Sequence, residues 1–69
     1  MPFIKVEMLS GRSLEQKREL VRRISEDFLE ICGGTPETLH IVISEHEKDD
    51  WAIGGRILSA PPRDLPETP

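Results

Sequence analysis

The hydrophobic pattern of this chain changes period twice. In residues 2–9, PFIKVEML, Ile4, Val6 and Met8 fall on one side and Phe3, Lys5, Glu7 and Leu9 on the other. That is the period-two alternation of a strand with one fully apolar face. SGRS then reads as a turn, and Ser13 with Gln16 three residues later is a capping-box signature for a helix start. Beyond it Leu14, Leu20, Val21, Ile24, Phe28, Ile31 and Cys32 recur at helical spacing, while Glu15, Lys17, Arg18, Arg22, Arg23 and Glu26 cover the opposite side. A helix over about residues 13–32 would be about 30 Å long, and Gly33 and Gly34 stop it. After the GGTPET connector, LHIVIS sets Leu39, Ile41 and Ile43 against His40, Val42 and Ser44, a second strand whose β-branched centre suits a sheet interior.

Strand, long helix, strand is a β-α-β unit, which pairs its strands in parallel through a right-handed crossover and covers one sheet face with the helix. The other face stays bare, an uncovered apolar surface that reads as an interaction surface. EHEKDD is a polar loop, WAIGGRI contains a Gly-Gly pair suited to a short C-terminal hairpin, and APPRDLPETP is proline-rich. The expected fold class is therefore α+β: one domain over residues 1–69, with residues 60–69 an extended tail unless a neighbouring subunit holds it.

Composition narrows the classes of function. A single core in a chain of 69 residues rarely supplies more than about 3–5 kcal/mol, and small domains add disulfides, a metal or partner subunits. One cysteine excludes an internal disulfide, and two histidines with that cysteine offer no zinc spacing, so no metal site is expected. Self-association is the remaining support. The net charge of −4, with basic residues spread along the chain, argues against nucleic acid. No apolar run approaches a membrane span, no basic-then-apolar leader opens the chain, and the protein reads as cytoplasmic. Cys32, at the end of the apolar stripe, is expected to be a small buried hydrophobe, and His46, between Glu45 and Glu47, to be solvated.

Pro2 leaves two readings open. A proline without an amide hydrogen is tolerated at the first residue of a strand. Removal of Met1 would instead convert its ring nitrogen into a free secondary amine. Moving a proton between the carbons of an enol or unsaturated 2-oxo acid needs a base titrating near neutrality that also returns the proton. A free α-amino group starts near 8, and apolar walls and nearby cations lower it further.

Pro2 at the head of a strand, the GRS of residues 11–13 followed by LEQK, the strand LHIVISE, and DWAIGG at 50–55 occur in the order that resembles the 4-oxalocrotonate tautomerase family of the tautomerase superfamily. The resemblance spans roughly residues 2–58 and lies in the combination, since no single one of these motifs is specific. It implies short β-α-β subunits assembled as a homohexamer, and a cofactor-free keto-enol tautomerase, an isomerase, whose base is Pro2 after loss of Met1. Arg12 corresponds to the arginine that binds a substrate carboxylate, and Trp51 to an aromatic residue that walls the pocket or anchors a subunit interface. The implied partners are a small carboxylic acid, 2-hydroxymuconate-like, and further copies of the chain.

His40 is the departure from the pattern. The best-known members carry an arginine there, where it polarises the substrate's 2-oxygen. A histidine donates a hydrogen bond to the same oxygen from a shorter side chain that is only partly charged at neutral pH. Two alternatives accompany the resemblance: a hydratase or dehalogenase, for which Glu7, Glu45 and Asp50 are available as water-activating carboxylates, and a noncatalytic subunit of a hetero-oligomer. Arg56 and Arg63 either reach a neighbouring pocket or are surface charges.

Overall fold

Ser13 begins the long helix by capping it from both directions. Its hydroxyl accepts from the Gln16 backbone N–H at 3.1 Å, and the Gln16 side chain accepts from the Ser13 backbone N–H at 2.9 Å. A cap of this kind contributes about 1 kcal/mol. In this computed structural model, which describes residues 1–60, the order is strand β1 (Phe3–Leu9), helix α1 (Leu14–Cys32), strand β2 (His40–His46) and a hairpin of β3 (Ala52–Ile53) and β4 (Arg56–Ile57). Single 3₁₀ turns at Pro36–Thr38 and Lys48–Asp50 lead into β2 and toward β3. Of the proline-rich tail, everything after Ala60 lies outside the described residues, as does Arg63.

β1 and β2 pair in parallel, with Phe3 opposite His40 and Leu9 opposite His46. This register aligns Ile4 with Ile41 and Val6 with Ile43, so the half-buried apolar residues share the face under α1. Leu20, Val21, Ile24, Phe28 and Leu29 are the half-buried apolar residues of the helix, and the half-buried Lys17 reaches Glu45 of β2 in an ion pair at 2.7 Å. Gly33, at a φ of 80°, ends the helix, its N–H donating to the Leu29 carbonyl. In the hairpin Gly54 and Gly55 both have positive φ, 60° and 85°, as a two-residue turn matched to strand twist requires.

The strands and helix fall where the hydrophobic pattern puts them, within two residues. The ends of the helical stripe differ. Leu14, Ile31 and Cys32 are exposed, Ile31 at 80%, so Cys32 is not the buried hydrophobe expected. The reason is length: 19 helical residues run about 28 Å over strands of 7 residues, about 23 Å, and the helix overhangs its sheet. The bare face is mixed rather than apolar. Phe3 and Val42 are exposed there at 62% and 41%, beside Lys5 and Glu7.

Among the described residues no side chain is fully buried. Half-burial on one side of a two-stranded sheet, with both outer strand edges unpaired, cannot offset the chain entropy that folding removes. Dilution below the assembly threshold should therefore unfold the protein, with loss of helical circular dichroism and of sedimentation mass coinciding. A folded, cooperative monomer at micromolar concentration would refute this.

On the outer side of α1, Glu19 accepts hydrogen bonds first from Arg22 and then from Arg23, which hold its carboxyl at about 2 rather than 4.5. The same contacts raise Arg22. Because the folded pKa is depressed, this stabilisation is present above about pH 4.5 and is lost as pH falls toward about 2. Glu19→Gln should lower the melting temperature slightly at pH 6, and the gap from the native protein should close both by pH 2 and in about 1 M salt. A gap unchanged under either condition would assign the effect to something other than this ion pair.

Candidate functional site

Parallel pairing brings the first residues of both strands together. The His40 backbone N–H donates to the Pro2 carbonyl at 3.1 Å, so Pro2 and His40 sit side by side at one end of the sheet. Pro2 is half-buried and Met1 beyond it is exposed. The His40 side chain is exposed and makes no hydrogen bond or ion pair among the described residues.

Arg12 lies past the opposite end of β1, in the turn before α1. It is exposed, and its Nη1 donates to the Leu9 carbonyl at 3.2 Å, which leaves the other guanidinium donors for solvent or a ligand. Met8 and Leu20 form the apolar part of a hollow of about 220 Å³ that Arg12, Gln16 and Lys17 complete. Lys17 is already engaged with Glu45. Arg12 is therefore the cation of this hollow that no carboxylate pairs with among the described residues.

Trp51 follows the 3₁₀ turn after β2, at the same end of the sheet as Arg12 but toward the bare face. Its backbone N–H donates to the Lys48 carbonyl at 3.5 Å and its carbonyl accepts from Leu58 at 2.8 Å. Its ring meets the His46 ring edge-on, with centroids 5.6 Å apart and planes at 77°. His46 Nε2 lies 3.0 Å from Glu7 Oε1. Glu7, His46, Asp50, Trp51 and Ala52 surround a hollow of about 300 Å³.

His46 is thus a residue that the sequence reading missed: it is half-buried and paired, not solvated. The signal lies in the register. β2 runs two residues beyond the LHIVIS pattern, and those residues carry His46 onto the face that holds Glu7. The remaining cations and carboxylates are less informative. Arg56 is half-buried and donates to the Ala60 carbonyl within its own hairpin, and Glu45 is committed to Lys17. Among the described residues no three His, Cys, Asp or Glu side chains gather in a way that could hold a metal ion.

The four residues singled out from the sequence therefore form two groups. Pro2 and His40 stand where the two strands begin, Arg12 and Trp51 beyond where they end, separated by the 7 residues of β1, about 23 Å at strand rise. No small carboxylic acid bridges that gap. Within one subunit the four residues do not gather at one place, and Arg12 and Trp51, though at the same end of the sheet, line separate hollows.

Comparison with known proteins matches residues 2–60 to the family model described as "Tautomerase enzyme". The chain is 42% identical over 59 residues to a probable tautomerase of Halalkalibacterium halodurans, spanning 86% of this chain and 97% of that protein. It is also 42% identical over 59 residues to the 2-hydroxymuconate tautomerase of Bacillus subtilis, with 86% and 95% covered. Among solved structures, a 4-oxalocrotonate tautomerase homologue superimposes with a TM-score of 0.80 at 41% identity, covering 86% of this chain and 94% of that one. A chain of the heterohexamer 4-oxalocrotonate tautomerase from Chloroflexus aurantiacus gives a TM-score of 0.78 at 30% identity, with 86% and 95% covered.

Proposed function

Because the chain belongs to the tautomerase family, we propose that it is a cofactor-free isomerase acting on an enol or unsaturated 2-oxo acid of the 2-hydroxymuconate type. Its base is the secondary amine of Pro2, freed by loss of Met1. The observation that carries this reading is the position of Pro2: the family match begins at that residue, which is half-buried at the head of β1, while Met1 is 91% exposed and open to removal. Similarity to a protein described as a 2-hydroxymuconate tautomerase supports the substrate class.

In the proposed reaction the Pro2 nitrogen takes the proton of the substrate's 2-hydroxyl, the electrons move to make the 2-oxo group, and the ammonium returns the proton to a carbon of the displaced double bond. Desolvation disfavours the ammonium, so this amine should titrate below a free peptide amine. His40, beside Pro2 and with its ring free, donates to the 2-oxygen as charge develops there. Arg12 grips a carboxylate and Trp51 walls off water.

In this reading the four residues meet only where Pro2 and His40 of one subunit face Arg12 and Trp51 of others. We assign this arrangement to a homohexamer. A second reading has one observation in its favour: a similar chain belongs to an assembly described as a heterohexamer, and a subunit with histidine in place of the expected arginine would suit a noncatalytic partner. Native mass spectrometry of the assembly from its own source separates the two, since the second requires a different chain beside this one.

Arg12→Ala should raise KM for a 2-oxo or 2-hydroxydienoate acid with the fold intact, because a charged hydrogen bond contributes about 1.5–3 kcal/mol. His40→Asn should lower kcat more than it raises KM, since its contact strengthens in the transition state. Negligible effects from both would return them to surface roles.

Processed protein should ketonise the enol with kcat/KM rising as pH passes through the amine's pKa, and synthetic chain retaining Met1 should be inactive because its nitrogen is acylated. Refolding Met1-retaining chains together with Arg12→Ala chains should recover activity above either alone. Equal turnover by processed and unprocessed protein would end the proline mechanism, and absence of recovery in the mixture would end the shared site.

A further inference from the structure

We propose that His46 is a positioning residue for Trp51: Glu7 fixes the imidazole, and the imidazole fixes the indole. The inference rests on the reading of Trp51 as a wall of the substrate pocket and adds to it the device that holds the wall in place.

Two stretches of chain far apart in sequence converge here. Glu7 comes from β1, His46 is the last residue of β2, and Trp51 follows the turn at Lys48–Asp50. His46 is held at both its backbone and its ring. The Ser10 N–H donates to its carbonyl at 2.8 Å, the Ser10 hydroxyl donates to Glu47, the next residue, at 2.9 Å, and Nε2 meets the Glu7 carboxylate at 3.0 Å. A carboxylate on one ring nitrogen sets the plane of an imidazole. The indole is tied down less. Its backbone is bonded on both sides, but its ring N–H makes no hydrogen bond among the described residues, and the edge-on contact with His46 at 5.6 Å is its aromatic contact. The ring therefore takes its orientation from His46, and His46 from Glu7.

An aromatic wall contacts substrate and transition state alike. Loosening it should raise KM while leaving kcat nearly unchanged. Trp51 is the only tryptophan in the sequence, so indole fluorescence reads its surroundings without any assay of turnover.

The experiment compares assembled native protein with His46→Leu, Glu7→Gln, the double variant and His46→Phe. His46→Leu should increase acrylamide quenching of Trp51 about twofold and raise KM about three- to tenfold, with kcat within about twofold. Glu7→Gln should move both readings in the same direction by less. The double variant should equal His46→Leu alone, because Glu7 acts through the ring, and His46→Phe should restore part of the native quenching by replacing ring with ring. Unchanged quenching in His46→Leu, or additive effects in the double variant, overturns the proposal. If His46→Leu fails to assemble, Glu7→Gln decides by quenching alone, since Glu7 is exposed and its loss leaves the sheet intact. Should even the native protein fail to turn over an enol acid, the isomerase reading falls while the quenching series still accepts or rejects the His46–Trp51 coupling.

Discussion

One helix laid across two strands cannot bury a side chain completely, and the rest of this structure follows from that. The helix shields one face of the sheet to the half-buried level, and among the described residues nothing is sealed further. At roughly 25 cal/mol per Å² of apolar surface removed from water, a subunit that leaves Phe3 and Ile31 largely in solvent and Val42 partly so retains much of its hydrophobic stabilisation unrealised. The local devices are well made: the reciprocal Ser13–Gln16 cap, the Gly54–Gly55 turn, the Lys17–Glu45 clasp between helix and sheet. They set the shape of the subunit. They do not supply a core.

The same geometry governs the chemistry. A parallel pair of strands starts both strands at one end of the sheet and finishes both at the other, so residues at the head of β1 and in the turn after it are kept a strand's length apart. Pro2 and His40 share one end, and Arg12 and Trp51 share the other. In the proposed reading, the contacts that complete the core also complete the pocket, and folding, assembly and catalysis become one event. A carboxylate-binding arginine and a proline base on the same 60 described residues then have no need to touch within a subunit.

The chain's two histidines illustrate how position in the sheet separates chemically identical groups. His40 and His46 lie on the same face of β2, at its first and last residues. His40 is opposite Phe3, which offers it no hydrogen bond, and its ring makes none among the described residues. His46 is opposite Leu9 and within reach of Glu7, which takes its Nε2. In the proposed reading, the unengaged imidazole beside Pro2 serves a substrate, whereas the tied one beside Trp51 serves as support.

The elements were legible because their signals are local. Alternation over eight residues, helical recurrence from Leu14 to Cys32, a cap three residues long and a Gly-Gly pair each reflect interactions between near neighbours in the chain, and the α+β class and the family resemblance followed from their order. What the sequence could not decide depends on pairs far apart in it. Glu7 and His46 are 39 residues apart, and only the strand register brings them together. Cys32 continues the apolar spacing of its helix, yet it is exposed because the helix outruns the sheet beneath it. The four candidate residues could be named singly from their motifs and the parallel pairing follows from the β-α-β order, but the register that sets Phe3 against His40 and Leu9 against His46 is a property of tertiary structure alone.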